Sequence, residues 1–214
     1  MARPSFKQQI ETFLQRKGSL DPFELPIFPL NAVLFPSGLL PLRIFEHRYM
    51  DMIKACLKND QPFGVSLIKD GSETGAAITE EVGCLANIID WDMQELGILN
   101  VKALGVERFV IADTWVLANG LMMAKVNRIS AEPPVALAGK NQACARVLQQ
   151  IVARLGAENF HSPLEYDDAV WVSYRLAEVL PLKLLAKQQM LEMNDPSMRI
   201  EILHNFLIQQ GLSD

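Results

Sequence analysis

The charged residues best placed for chemistry lie in LPLRIFEHRY, residues 40–49, where Arg43, Glu46, Arg48 and Tyr49 accompany large apolar residues. Such a group could form a charged active site or bind a ligand. It could equally hold a structural corner, since a negative charge such as Glu46 is favoured at the start of a helix. The charges lie between a strand-like run and a helical one. This position favours the structural strand–corner–helix junction over a ligand site.

Two pairs of carboxylates are the next candidates, because general acid–base catalysis needs two groups with different pKa values. Asp90 and Asp92 flank Trp91 in IIDWDMQELG, which is typical of a solvated turn between two strands. Asp167 and Asp168 begin a helical segment, where negative charge suits the helix dipole. Neither pair is predicted to be catalytic.

Nucleophile, phosphate and metal motifs are incomplete. GVSLI lacks the second glycine of a nucleophile elbow, and Gly139-Lys140 lacks the upstream glycine and the following Ser or Thr of a phosphate loop. The three histidines, His47, His161 and His204, are isolated from one another. The sequence therefore predicts no catalytic residue, no metal site and no cofactor, and we expect a protein that is not an enzyme.

Two further pairs of residues are interpreted as structural. Arg108 and Phe109 are expected to close a strand pairing. Lys187 and Gln188 are expected to share the solvated face of a helix. No binding residue is assigned.

Composition limits the partners. The net charge of -5 and pI near 5.3 argue against nucleic acid, whose binders need a basic surface to neutralise phosphates. Cys56, Cys84 and Cys144 are odd in number and lie in apolar contexts, as expected of buried free thiols in a reducing cytosol. The N-terminus lacks the apolar core of a signal peptide, and no window reaches the ~18 apolar residues of a membrane span. We expect a cytoplasmic protein without a membrane partner.

The elements that must position these residues change type along the chain. Residues 5–17 are predicted to form an amphipathic helix, with Phe6, Ile10, Phe13 and Leu14 on one face. Between residues 24 and 129 lie short strand-like runs: LPIFPL, PLRI, FGVSLI, GCLANIID, LGILNVKAL, ERFVIADTWV and LMMAKVNRI. A helix at residues 46–59 interrupts them. This pattern indicates a small closed or half-closed barrel.

The segment AEPPVALAGKN, residues 131–141, is the predicted boundary, because its two prolines stop the last strand. Everything after it has helical periodicity. Asp195 is a predicted N-cap with Pro196 at the first helical position, and Gly211 is predicted to close the last helix. We divide the chain into an N-terminal helix (1–20), a β-rich domain (21–131) and an α-helical bundle (132–214), and the fold class is α+β.

Several motifs in order resemble one known family. ELPIFPLNAVLFPSGLLPLRIFEHRYMDMI, then FGVSLI, EVGCLANIID and LGVERFVI, are similar to the N-terminal domain of Lon proteases. LAEVLPLKLLAKQQMLEMNDPSMRIEIL is similar to the helical pattern of the same domain. Stand-alone bacterial Lon substrate-binding-domain proteins and the Lon-like domain of cereblon share the pattern. The resemblance covers about residues 24–210.

The resemblance implies a β-rich PUA-like pseudobarrel followed by an α-helical bundle, and a role in recognising polypeptides. In full-length Lon this region delivers substrates to an ATPase and a Ser–Lys peptidase. The present sequence has no Walker motif and no serine-peptidase signature, so no catalytic residue is carried over.

The leading hypothesis is therefore a non-catalytic module for unfolded or exposed polypeptide segments or a protein partner, with an exposed apolar patch between barrel and bundle. A hydrolytic enzyme with an unrecognised site and an RNA-binding PUA-like protein are the alternatives.

Overall fold

Strands make up most of the first half of the chain and helices most of the second. The computed structural model describes residues 21–212, so the helix predicted at residues 5–17 lies outside the described residues. The strands are β1 (Phe23–Leu30), β2 (Leu39–Ile44), β3 (Phe63–Gly71), β4 (Ala77–Thr79), β5 (Val82–Glu95), β6 (Ile98–Val116) and β7 (Met122–Arg128). The helices are α1 (His47–Asn59), α2 (Gln142–Leu155), α3 (Ala169–Val179), α4 (Leu184–Glu192) and α5 (Pro196–Gln209), with short 3₁₀ turns at Gly139–Asn141 and Ala157–Asn159. The predicted α+β class is confirmed.

The sheet closes on itself through β1. Its strands run in the order β1-β7-β6-β5-β3-β4, and β1 pairs antiparallel with β7 and parallel with β3. Closure satisfies the backbone groups that a free sheet edge would expose. Apolar side chains such as Ile27, Phe63 and Phe109 fill the interior and are completely buried. We call residues 21–131 the barrel part and residues 132–212 the helical part.

β6 is one 19-residue strand, and the prediction of two strands, LGILNVKAL and ERFVIADTWV, is wrong. Its first half pairs with β2 and its second half with β7, while β5 runs along both. Gly105 lies at the change of partner. Its amide donates to Gly38 O and its carbonyl accepts from Ser37 N, both at 2.8 Å, so the ladder is continued by the β1–β2 loop.

The hairpin formed by β5 and β6 is also longer than predicted. Asp90 and Asp92 lie within β5, paired with Lys102 and Asn100 of β6, and not in a turn. The register shifts at three places along this pair, which breaks the regular alternation that a sequence pattern would reveal.

The residues that cap the N-termini of α5, α3 and α1 set where these helices begin. Asp195 Oδ1 accepts hydrogen bonds from Ser197 N at 2.9 Å and Met198 N at 3.2 Å, and Pro196 begins α5 as predicted. Asp168 caps α3 by accepting from Val170 N at 3.0 Å, so that helix begins two residues later than the Asp167 of the prediction. Glu46 is the N-cap residue of α1.

The two parts share side chains across their boundary. Phe35, in the loop after β1, is completely buried in the core of the helical part, and its ring centroid lies 5.6 Å from that of Tyr174 in α3. A loop of the barrel part therefore inserts into the helical part.

Candidate functional site

The corner in LPLRIFEHRY is held by Arg48. Its Nε donates to Glu46 Oε2 at 3.0 Å, its Nη1 to Gly120 O at 2.9 Å and its Nη2 to Glu73 O at 3.1 Å. Its guanidinium also lies 4.6 Å from the centre of the Tyr49 ring. Every donor nitrogen of this side chain has an intramolecular partner, so the geometry fits the predicted strand–corner–helix junction.

Arg43 takes no part in that corner. Its Nη2 lies 3.0 Å from Glu95 Oε2 at the far end of the hairpin, and both side chains are about two-thirds exposed. An exposed pair of this kind contributes little to stability. Arg43 is therefore a surface residue, available to a ligand.

A buried charge network joins the two parts, and Glu132 is its centre. Arg199 of α5 donates to Glu132 through Nη2 at 2.5 Å and Nη1 at 3.1 Å. Tyr174 Oη donates at 2.7 Å, and Arg108 Nη2 lies at 3.1 Å. The carboxylate is 5% exposed and Arg199 is completely buried. Burial alone would raise the pKa of Glu132, but the hydrogen bonds from Arg199 and Tyr174 outweigh it and hold that pKa below its usual value.

Arg108 extends the network to α4 and the turn after it. Its Nη1 donates to Leu191 O at 2.8 Å and its Nη2 to Asn194 Oδ1 at 2.9 Å. Arg108 lies in the β5–β6 ladder opposite Cys84, as the prediction of a strand pairing expects, and its side chain also fastens the barrel part to the helical part. Phe109 lies in the same ladder, opposite Gly83 of β5.

Lys187 and Gln188 do not occupy a solvated face, which corrects the prediction for this pair. Gln188 is 1% exposed and donates through Nε2 to Val82 O of the barrel part at 2.9 Å. Lys187 is half-buried, and its Nζ donates to Glu178 O at 2.6 Å. Both residues fasten α4 to its neighbours.

Arg175 is a second buried connection between the parts. It lies in α3, is 1% exposed, and donates to the carbonyl oxygens of Ser37 and, at 2.8 Å, Pro36. The sequence held a signal for it, because the surrounding helix AVWVSYRLAEV is apolar on nearly every side. A charge in such a helix is buried and needs a partner.

The three cysteine thiols are poor nucleophiles. Cys56, Cys84 and Cys144 are free and buried. Burial raises the pKa of Cys56 and Cys144 to about 11 and that of Cys84 to about 12, so the nucleophilic thiolate is scarce at neutral pH. Within residues 21–212, no three His, Cys, Asp or Glu side chains are grouped so that they could hold a metal ion.

A groove of about 620 Å³ lies beside the hairpin, between the barrel part and the 3₁₀ turn that ends at Asn159. Its apolar walls come from β2 and from the β5–β6 hairpin, and its polar groups are carboxylates, amides and two basic side chains. It is lined by Leu39, Pro41, Leu42, Arg43, Asp90, Trp91, Asp92, Asn100, Val101, Lys102 and Asn159.

Apolar side chains continue from this groove to the tip of the hairpin. Ile89, Trp91 and Met93 follow one another at every second residue of β5, and each is about 40% exposed. Leu96, at the tip, is fully exposed. We call these four residues the hairpin row. An exposed apolar surface next to a groove is typical of a site that binds another chain.

β2, which lines this groove, is also an edge strand. Among the described strands, β2 pairs with β6 alone, so its other edge carries unpaired backbone groups. Pro41 lies in the middle of β2, where its missing N–H is tolerated at an edge. The sequence indicated an edge strand here, but it did not reveal the groove, because Asn159 and Pro41 are 118 residues apart.

None of the helices in the described part of the chain is long and apolar enough to cross a membrane.

A family model described as the ATP-dependent protease La (LON) substrate-binding domain matches residues 24–209. A solved structure, the Lon N-terminal domain protein from Xanthomonas campestris, is similar with a TM-score of 0.72 and 32% identity, covering 85% of this chain and 96% of that one. The N-terminal domain of Mycobacterium avium complex Lon protease shares the fold at 14% identity, with a TM-score of 0.61 over 86% of this chain and 97% of that one.

Two curated relatives match parts of longer proteins. Cereblon of Danio rerio is 33% identical over 121 residues, which are 53% of this chain and 28% of cereblon. Lon protease 2 of Herpetosiphon aurantiacus is 26% identical over 196 residues, covering 87% of this chain and 24% of that protease. The chain thus spans about a quarter of the length of these relatives.

Proposed function

The chain belongs to the Lon substrate-binding domain family, and from this membership we propose that it binds unfolded or exposed polypeptide segments, or a protein partner, without catalysing a reaction. The observation that carries the proposal is the hairpin row beside the groove. A fully exposed Leu96 next to partly exposed Trp91 and Met93 is costly in water and is stabilised when an apolar chain covers it.

The groove offers two kinds of contact to such a segment. The open edge of β2 supplies backbone donors and acceptors, which pair with any extended peptide whatever its sequence. The hairpin row supplies apolar area, which favours segments that a folded protein would bury. Both contacts select for unfolded chain rather than for one particular sequence.

The absence of catalysis is part of the proposal. The described cysteines are buried with raised pKa values, and Glu132, the best-satisfied buried carboxylate, is held by structural partners. The three free thiols also support the cytoplasm as the location, because a reducing compartment preserves them.

A binding assay tests the proposal. A fluorescently labelled polypeptide is kept permanently unfolded by reduction and carboxymethylation, and its anisotropy is followed as the protein is added. The native form of the same polypeptide is the reference. We expect saturable binding of the unfolded form only. Equal binding of both forms, or of neither, would contradict polypeptide capture.

Matched variants test the location. Leu96→Asp removes apolar area from the hairpin row, and Ile78→Asp makes the same kind of change at an exposed residue of β4. Burial of a leucine side chain contributes about 1.5–3 kcal/mol, so Leu96→Asp should weaken binding roughly ten- to a hundredfold. Ile78→Asp should leave binding unchanged. An equal loss in both variants would place the site elsewhere.

A further inference from the structure

A second cavity, of about 200 Å³, lies between the barrel part and the helical part, and it shares no lining residue with the groove. Val106, Ile129 and Trp171 give it apolar walls. Pockets for drug-sized ligands measure roughly 300–1,000 Å³, whereas an engineered apolar cavity of about 150 Å³ binds benzene. The size of the present cavity therefore suits a molecule with a single ring.

The charges of the lining select a neutral occupant. Four of the described lining residues carry carboxylates, and three of these already have partners. Glu132 is held in the buried network, and Asp168 caps α3. Glu107 accepts from Arg128 Nη1 at 2.5 Å, and Glu165 is exposed. The carboxylates repel an anion, and because most of them are already paired, a cation gains little from them.

Two hydrogen-bond donors of the lining have no partner. The Trp171 side chain is 5% exposed, and its indole N–H donates to no group within residues 21–212. Arg108 is 4% exposed, and its Nη1 and Nη2 donate to protein acceptors, whereas its Nε–H makes no hydrogen bond in the same part of the chain. A donor that is largely removed from water without a partner is costly, so an occupant that offers an acceptor is stabilised here.

We propose that this cavity binds a small, neutral, single-ring molecule that carries a carbonyl group. The ring packs against Val106, Ile129 and Trp171, and the carbonyl oxygen accepts from the indole N–H of Trp171, with the Nε–H of Arg108 as the second donor. Because the lining comes from both parts, the bound molecule holds the barrel part against the helical part. This inference is independent of the proposed function, because it involves neither the groove nor the hairpin row.

Titration of the intact, isotope-labelled protein with benzamide, followed by NMR of the tryptophan indole N–H signals, tests the proposal. Benzamide is neutral and carries a carbonyl on one ring, and benzoate and benzamidinium are its anionic and cationic counterparts of nearly the same shape. The signals report on three places, because Trp171 lines the cavity, Trp91 lines the groove and Trp115 lines neither. We expect benzamide to shift the Trp171 signal saturably with a Kd of roughly 1 mM, and both ions to bind at least tenfold more weakly.

Three results of the titration would overturn the proposal. The first is the absence of a saturable shift of the Trp171 signal. The second is a shift confined to Trp91, which would place benzamide in the groove. The third is equal affinity for benzamide, benzoate and benzamidinium, which would show that the charges of the lining do not select the ligand.

Two matched pairs of variants test the contacts, with binding measured by ligand-observed NMR. Trp171→Phe keeps an aromatic wall but removes the N–H, so benzamide should bind about tenfold more weakly, whereas Trp115→Phe should not change its affinity. Glu165 and Asp167 are both exposed, but only Glu165 lines the cavity. Glu165→Lys should therefore strengthen the binding of benzoate several-fold, and Asp167→Lys should not. Equal effects within either pair would overturn binding in this cavity, and the second pair does so even if Trp171→Phe fails to fold.

Discussion

Glu132→Gln removes the charge at the centre of the buried network and nearly preserves its shape. The carboxylate accepts two hydrogen bonds from Arg199 and one from Tyr174, and it also pairs with Arg108. In the variant, two guanidinium groups that are at most 4% exposed lose their only carboxylate in this network. An amide also presents an N–H₂ group to the guanidinium donors, which have no lone pair to offer.

The expected loss of stability follows from the buried charges that lose their partner. Removing one partner of a buried ion pair costs about 3–5 kcal/mol, because the remaining charge stays buried without compensation. For a chain of 214 residues, each kcal/mol lowers the melting temperature by about 2–4 °C. The variant should therefore melt roughly 6–20 °C lower than the unmodified protein at pH 7.

The stability that Glu132 contributes should depend on pH. The pKa of Glu132 is lower in the folded protein than its ordinary value, so its contribution to stability is complete above the ordinary pKa of a glutamate. That contribution is lost as the pH falls through the lower, folded-state pKa. The gap in stability between the unmodified protein and Glu132→Gln should therefore be constant near neutrality and narrow in acid.

Urea unfolding at several pH values, followed by circular dichroism, measures this gap. Glu201→Gln is the matched control, because Glu201 pairs with Lys140 at 2.8 Å on the surface, where the same substitution should change nothing measurable. A Glu132→Gln protein that unfolds cooperatively within 1 kcal/mol of the unmodified protein at pH 7 would refute the reasoning.

Three other substitutions follow from single contacts and are measured by urea unfolding. His204→Leu should stabilise the protein by about 1–2 kcal/mol, since both ring nitrogens of this 3% exposed side chain have no hydrogen-bond partner. Arg48→Lys should cost about 1–3 kcal/mol, because an ammonium cannot span the carboxylate and the two carbonyls that the guanidinium holds. Gly105→Ala should lower the free energy of unfolding by about 1–3 kcal/mol, because the Cβ of alanine would collide with Phe35 O.

For each of these three predictions, one experimental result would contradict it. Destabilisation by His204→Leu would show that the imidazole makes a polar contact, for instance through water. An unchanged midpoint for Arg48→Lys would mean that the corner is held by the packing of Tyr49 alone. For Gly105, Gly97→Ala is the comparison, because Gly97 has open space around it at the hairpin tip, although its φ of 85° adds some strain. A smaller loss at Gly105 than at Gly97 would contradict the collision.

The sequence by itself determined the elements whose signals are local. Asp195 followed by Pro196 predicted the start of α5, and the apolar spacing after Glu46 predicted α1, because capping and helical periodicity act within one or two turns. The order of β-rich and helical parts, and the family, also followed from short motifs.

Only the tertiary structure decided what those elements contact. Arg108 reaches residues 83 to 86 positions away, and Arg175 reaches a loop 138 positions away. The sequence of β6 could not show that it continues through Gly105, because the loop that completes its ladder comes from another part of the chain. The sequence pattern placed Gln188 on a solvated helix face, because its partner Val82 lies in the barrel part, far away along the chain. Burial and pairing depend on which distant surfaces meet, and that information is not contained in a local pattern.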